Sequence, residues 1–280
     1  DLGKTDNEYF YGKAYGTGQV NIIGPAEDLL MDIIVKTEPG TDFKMPITSS
    51  SNVAISNFIT FKTKYDEYEN LLTEEQTELD LRGLTLKLAI DVTPDARAQL
   101  IMDETVGDII EANGSGKLRI ELQPSGELKM FGDYEIHKGN YLFTMRNLIN
   151  KPFKLNSGGT MQWKGDPYNA NLNVEAIYTT RSTLAPVVTS SDYNNQRVRV
   201  DLILKLSGAL ENPNIGFEIL LPGSSPAWQD ELDNRMTNVD LLNQQAFSLL
   251  LLNSFYEDPN ARSNDEFSQV GQGIAANTNQ

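Results

Sequence analysis

The chain has a single histidine, His137, and histidine is the side chain best suited to acid–base work near neutral pH. It stands in His137-Lys138-Gly139-Asn140, which reads as a tight connection between two strands, where a histidine is ordinarily a surface residue. A Ser-His-Asp arrangement would also need a nucleophile elbow, and none occurs. Cysteine is absent, which excludes disulfides and thiolate metal sites. A metal would then depend on carboxylates, yet no EF-hand-like acidic loop is present. Asp91 and Asp95, flanking Pro94, read as solvated acids at a strand end. Gly114-Ser115-Gly116 and Ser157-Gly158-Gly159 are not phosphate cradles, because neither leads into a helix start with Lys-Ser/Thr. The residues support neither catalysis nor a cofactor or metal.

Aromatic side chains offer a different chemistry. Trp163, Tyr141, Phe143, Tyr134, Tyr168 and Tyr178 could stack on a sugar, or could simply fill a β core, where aromatics are favoured.

The elements that would position any of these groups are strands, each apolar on one face and polar on the other. In the segment from Leu84 onward, Leu84, Leu86, Leu88, Ile90 and Val92 alternate with mostly polar residues. Leu118, Ile120 and Leu122 repeat the pattern, as do Val198, Val200, Leu202, Leu204 and Leu206. Side chains alternate across a strand, so each segment builds one apolar wall and one wet wall. The wet walls forbid a sheet covered on both sides. The apolar walls must face each other, another protein or a lipid.

The net charge of −16 and a pI near 4.5 argue against nucleic-acid binding and give no attraction to an anionic membrane surface. A membrane role would rest on apolar contact. At 280 residues, 39% hydrophobic and 22% charged, the chain can bury a substantial core. No apolar run reaches the ~18 residues that span a bilayer as a helix. Both ends look cut, so a longer chain is expected, with a membrane anchor in the missing part.

Along the chain, residues 9–22 read as strand interrupted by Gly12, Gly16 and Gly18, and 29–36 as the next strand. Residues 43–47 carry Pro46, which demotes them to an edge or irregular strand. A further strand is expected at 59–64, then an acidic, solvated loop at 66–80. From residue 81 the alternation predicts strands at about 81–93, 98–102, 107–111, 116–122, 127–137, 139–146, 151–155, 159–164, 170–180, 196–208 and 214–221. Asn113-Gly114 and Ser125-Gly126 read as hairpin breakers. No helical pattern separates these strands, which predicts a mainly antiparallel meander. Ser225-Pro226 with Asp230 and Glu231 starts a helix, and a second runs from Asn238 or Asp240 to about Tyr256, ended by Asp258-Pro259. Its wide apolar surface, with Leu241, Leu242 and the run Leu249 to Leu252, must cap a groove or dock on a partner.

One stretch does more than alternate. It runs Gly132-Asp133-Tyr134-Glu135-Ile136-His137-Lys138-Gly139-Asn140-Tyr141-Leu142-Phe143, then Phe153-Lys154-Leu155. It continues through Gly158-Gly159-Thr160-Met161-Gln162-Trp163-Lys164-Gly165-Asp166-Pro167 to Ala170-Asn171-Leu172-Asn173-Val174-Glu175-Ala176-Ile177-Tyr178. This stretch resembles the C-terminal domain of the TamB family of AsmA-like envelope proteins, on Gly132, Asp133, Tyr134, Gly139, Tyr141, Trp163, Gly165, Asp166, Pro167 and Tyr178. Gly12-Lys13-Ala14-Tyr15-Gly16-Thr17-Gly18 resembles that domain's opening.

The resemblance implies an all-β fold, a long antiparallel meander curled into an open U-shaped β-taco with an apolar groove, over residues 1–222. The residues themselves, outside that signature, predict short C-terminal helices as a capping or docking segment at 223–257 and a flexible tail at 258–280. The resemblance also implies a periplasmic, non-enzymatic protein of a Gram-negative bacterium, associated with the outer membrane and anchored in the inner membrane at full length. The implied partners are an Omp85-class outer-membrane barrel (TamA-like), phospholipid and outer-membrane protein clients. On this reading the aliphatic residues of the three alternating segments line a lipid groove; on the plain reading they are core. The alternatives are a platform that templates strands of outer-membrane proteins without moving lipid, and a carbohydrate-binding β-sandwich.

Overall fold

A computed structural model describes residues 11–25, 28–46, 83–103, 107–145, 149–189 and 196–257. The strand expected at 59–64, the acidic loop at 66–80 and the tail from 258 lie outside the described residues. The chain is mainly β. Its strands are β1 (Tyr11–Lys13), β2 (Gly16–Ile23), β3 (Leu29–Thr37), β4 (Asp42–Pro46), β5 (Leu84–Val92), β6 (Arg97–Asp103) and β7 (Asp108–Leu122). They continue as β8 (Leu128–Met145), β9 (Ile149–Leu155), β10 (Thr160–Gly165), β11 (Asn171–Thr183), β12 (Arg197–Ala209) and β13 (Asn214–Leu220). Two helices follow, α1 (Pro226–Arg235) and α2 (Val239–Leu252).

All thirteen strands belong to one sheet, mostly antiparallel, with the path β1-β4-β6-β7-β8-β10-β11-β12-β13. A branch β2-β3-β5 joins the same side of β7, and β9 lies between β8 and β11. The meander expected from the sequence has two exceptions: β3 runs parallel to β5, and β4 parallel to β6. Pro46 pairs with Ile101 in the ladder, and β4 sits between β1 and β6 over Asp42, Phe43 and Lys44 rather than at an edge.

Two predicted breaks are not turns. The strands expected at 107–111 and 116–122 are one strand, β7, and those at 127–137 and 139–146 are one strand, β8. The two pair along their length, with a register shift where Asn113 faces Lys138 and Gly114 faces Ile136. His137 is therefore the extra residue of a bulge in mid-strand, not part of a turn, and its Nε2 lies 3.0 Å from Ser115 Oγ. Glycine is needed at 114 because a Cβ there would lie 2.1 Å from the Glu135 carbonyl oxygen. The ladder continues through a close approach that other residues would block.

The bulge belongs to a seam crossing successive strands. β1 and β2 break at Ala14 and Tyr15, β3 and β4 at 38–41, β5 and β6 at 93–96, and β9 and β10 at 156–159. The breaks bond to one another. Thr41 Oγ1 accepts from the Tyr15 N–H at 3.0 Å and shares its proton between the Tyr15 and Glu38 carbonyls. The Thr93 N–H donates to Thr37 Oγ1 at 2.8 Å, and the Arg97 N–H to the Thr41 carbonyl at 2.9 Å. Asn113 Nδ2 donates to the Ala96 carbonyl at 3.0 Å; Ile136 exchanges backbone bonds with Gly158 and Gly159. Backbone groups released where each strand bends thus find partners at the next bend.

The chain forms two compact units, one of Asp1–Ala176 with Lys205–Ile215, the other of Ile177–Leu204 with Gly216–Gln280. In the second unit, α1 begins at Pro226 as expected. α2 ends at Leu252, short of Tyr256, because Asn253 takes the left-handed conformation at φ 53°. Asn253 Oδ1 accepts from Tyr178 Oη at 2.7 Å and Thr180 Oγ1 at 3.2 Å, which ties the helix end to β11. Leu249 and Leu250 of α2 are buried, and Phe247 meets Phe217 edge-on at 5.7 Å. Gln229 of α1 reaches the end of β13, where its Nε2 donates to the Ile219 carbonyl at 3.0 Å and its Oε1 accepts from the Leu221 N–H at 2.8 Å. The amide thereby takes the place of a neighbouring strand.

Candidate functional site

The sheet brings the first two groups of predicted aliphatic residues together. Antiparallel pairing sets Leu86 opposite Leu122, Leu88 opposite Ile120 and Ile90 opposite Leu118, while Val92 faces Gly116. Parallel pairing with β3 sets Leu84 beside Leu29, Leu86 beside Met31, Leu88 beside Ile33 and Ile90 beside Val35. β2 extends the same face, with Ile22 opposite Met31 and Val20 opposite Ile33. On the other side of β7 the rows continue through Met130 and Gly132 to Trp163.

This band is continuous in register but unevenly covered. Leu84, Leu86, Leu122, Met31, Met130 and Trp163 are buried. Leu88, Ile90, Val92, Leu118, Ile120, Ile33 and Val35 are half-buried. At β2 the face is open, with Val20 58% and Ile22 59% exposed. Isolated exposed aliphatics are ordinary on any protein, but a contiguous apolar patch marks a surface that binds something. The residues of β12 are placed differently. Val198 is half-buried, Val200, Leu202, Leu204 and Leu206 are fully covered, and β7, β8, β10 and β11 separate β12 from β5 in the strand order.

The aromatics do not form a platform. Tyr134, Tyr141, Phe143 and Trp163 are buried, with Tyr141 and Phe143 edge-to-face at 5.8 Å and Phe143 and Phe153 at 5.9 Å. Trp163 Nε1 donates to the Pro167 carbonyl at 2.9 Å, and the Tyr168 N–H donates to Asp166 Oδ1 at 2.9 Å, which shapes the Gly165-Asp166-Pro167 corner. Gly165 there has φ 143°, a conformation that favours glycine. Asp133 accepts from Gln162 Nε2 at 2.7 Å across the strands. Gly139 faces Ala112 and Leu155. These residues build the sheet.

Burial pushes the Tyr134 hydroxyl up to about 12 and also raises Tyr141, with Asp108 adding to the effect. A folded pKa above the unfolded value means that the neutral form is favoured in the native state. The corresponding stability is fully present below pH 10 and is lost as pH rises through about 12. Absorbance at 295 nm should show these two tyrosines ionising only with alkaline unfolding; Tyr134 ionising near 10 in the folded protein would contradict the assigned burial.

Among the described residues no group of three or more His, Asp or Glu could hold a metal ion, and no helix is long and apolar enough to cross a membrane, a statement that leaves strands aside. Sequence reasoning missed Val20, Ile22, Met31 and Ile33 as parts of the face. Their alternation is visible, but their place beside β5 depends on a parallel pairing between segments far apart in the sequence, which no local signal marks.

A single long sheet with a partly uncovered apolar face defines a sheet-built binding or assembly module. The chain belongs to the TamB C-terminal domain family, whose match spans residues 4–280. This is a family of non-enzymatic envelope-assembly proteins that work with outer-membrane assembly components, and membership supports a role for the chain in outer-membrane assembly in the Gram-negative envelope. Comparison with curated proteins finds no match.

Proposed function

We propose that the chain carries phospholipid along the apolar face of its sheet toward the outer membrane, from the periplasm, working with an Omp85-class barrel of the TamA kind. The observation that supports this reading is the band from Trp163 to Val20, apolar in every strand and increasingly uncovered toward β2. The seam across the sheet favours a strand array folded lengthwise, as in a β-taco. In this reading residues 1–222 form the conduit, residues 223–257 are the docking element for a partner, and 258–280 are a tail. Each acyl methylene moved from water onto the band contributes ~0.8 kcal/mol, so acyl tails need no charged anchor there. Native mass spectrometry of the purified chain, followed by lipid extraction, tests it. Phospholipid adducts are the expected result, and a lipid-free protein that stays lipid-free after incubation with vesicles overturns it.

A second reading, strand templating, draws on β2. Its residues are exposed at every position, its ladder partner among the described residues lies on one side only, and it carries neither a charge nor a proline. Edges are normally protected by such residues, and an open edge can accept an incoming strand. A photo-crosslinker at Gln19 or Asn21 should then capture outer-membrane protein segments in cells. Crosslinks to lipid alone would leave the conduit as the sole reading.

A further inference from the structure

The chain is strongly acidic, and three of its six described arginines meet carboxylates on an exposed surface: Arg97 meets Asp42 and Glu111, Arg119 meets Glu121, and Arg235 meets Glu231. The other three stand near the end of β11 and the start of β12, and of these only Arg199 meets a carboxylate. Arg199 donates from Nε and Nη2 to Asp201 at 2.9 and 2.7 Å. Asp201, 5% exposed, also accepts from Thr179 Oγ1 at 2.7 Å. That bond puts Thr179 on the same face as Asp201, and strand alternation then puts Arg181, Arg197 and Arg199 on it too. Arg197 Nη2 donates to the Arg181 carbonyl at 2.8 Å, which draws its guanidinium to the β11 backbone. All three arginines are exposed, and the opposite face of β12 holds the buried Val200, Leu202 and Leu204.

Asp201 offsets one of the three charges and fixes Arg199 in orientation. Arg181 and Arg197 have no carboxylate partner among the described residues. Guanidinium groups recognise oxyanions through paired N–H donors. Donors from three neighbouring arginines suit an anion with several oxygens better than a single planar carboxylate.

We propose that Arg181, Arg197 and Arg199 form a binding site for a phosphate group, carried by a phospholipid headgroup or as free phosphate. The site lies at the exposed end of the arginine face of β11 and β12, short of the buried Ile203 on that face, and does not depend on the apolar band carrying acyl chains.

The test uses the whole 280-residue chain at fixed ionic strength, titrated with inorganic phosphate by calorimetry. In parallel, the chain is sedimented with vesicles of phosphatidylcholine alone or mixed with phosphatidylglycerol. The wild type should bind at least one of these probes, and Arg181→Ala with Arg197→Ala should weaken that binding by about tenfold or more. Replacing both by lysine, which keeps charge but loses the fork, should weaken it less. Arg181→Gln disturbs no side-chain hydrogen bond among the described residues, and it carries the test should the double variant fold poorly. Binding of phosphate without vesicles assigns the free anion; binding of vesicles without phosphate assigns the headgroup; either sustains the site. Equal binding by wild type and variants overturns it. So does displacement by polyglutamate at the same charge concentration as phosphate, which would mark a surface for acidic protein.

Discussion

In a Leu88→Asp protein, phospholipid transfer between donor and acceptor vesicles falls at least about tenfold while the chain stays folded. Leu88 sits mid-band between Ile33 and Ile120 and is only half-buried, so a carboxylate there can keep water. The expected stability cost is about 1–2 kcal/mol, read as a small shift in urea midpoint. An acyl chain crossing this point must leave apolar contacts and meet a hydrated charge. Leu202→Asp is the contrasting case. Leu202 is fully covered, and a carboxylate there loses its water without gaining a partner, so a loss of about 4 kcal/mol or more and gross unfolding are expected. Undiminished transfer by folded Leu88→Asp sinks the conduit. Unfolding of both proteins alike would make Leu88 ordinary core.

Gly114→Val, at a buried glycine, should be strongly damaging. Its Cβ would fall 2.1 Å from the Glu135 carbonyl oxygen and 2.7 Å from the Tyr134 ring. The first contact is backbone in a paired strand and cannot turn aside. A cost of about 3 kcal/mol or more is expected, lowering Tm by roughly 6–12 °C. Gly158→Ala separates crowding from backbone strain: Gly158 has φ 90° but nothing within 4 Å of an added Cβ, so only strain of about 1–2 kcal/mol remains. Comparable losses at the two sites would mean that the close approach of β7 and β8 is not what requires Gly114.

Most strands are legible because alternation and turn chemistry agree locally. Ser125-Gly126 turns the chain between β7 and β8, and Ser157-Gly158 turns it between β9 and β10, as their residues predict. Asn113-Gly114 and Lys138-Gly139 mislead for a physical reason. A glycine that permits a turn and a glycine that permits two backbones to touch are the same letter. The parallel pairs are illegible because register between distant segments leaves no local trace. Alternation shows that Leu88 and Leu202 each lie on an apolar face. It does not show that one face is half open and the other sealed, since cover comes from elements elsewhere in the chain. For Tyr134, Tyr141 and Trp163 the same ambiguity holds in the sequence, and burial resolves them as core.

The side-chain amide of Gln229 has a counterpart in polymer chemistry, the terminator that occupies a growing end. A strand arriving at β13 would have to evict an amide that already satisfies the Ile219 carbonyl and the Leu221 N–H. At β2, among the described residues, a newcomer has nothing to evict. Among the described residues, a strand seeking the sheet therefore meets an occupied end at β13 and an open side along β2, so the two places differ in what an incoming chain must displace.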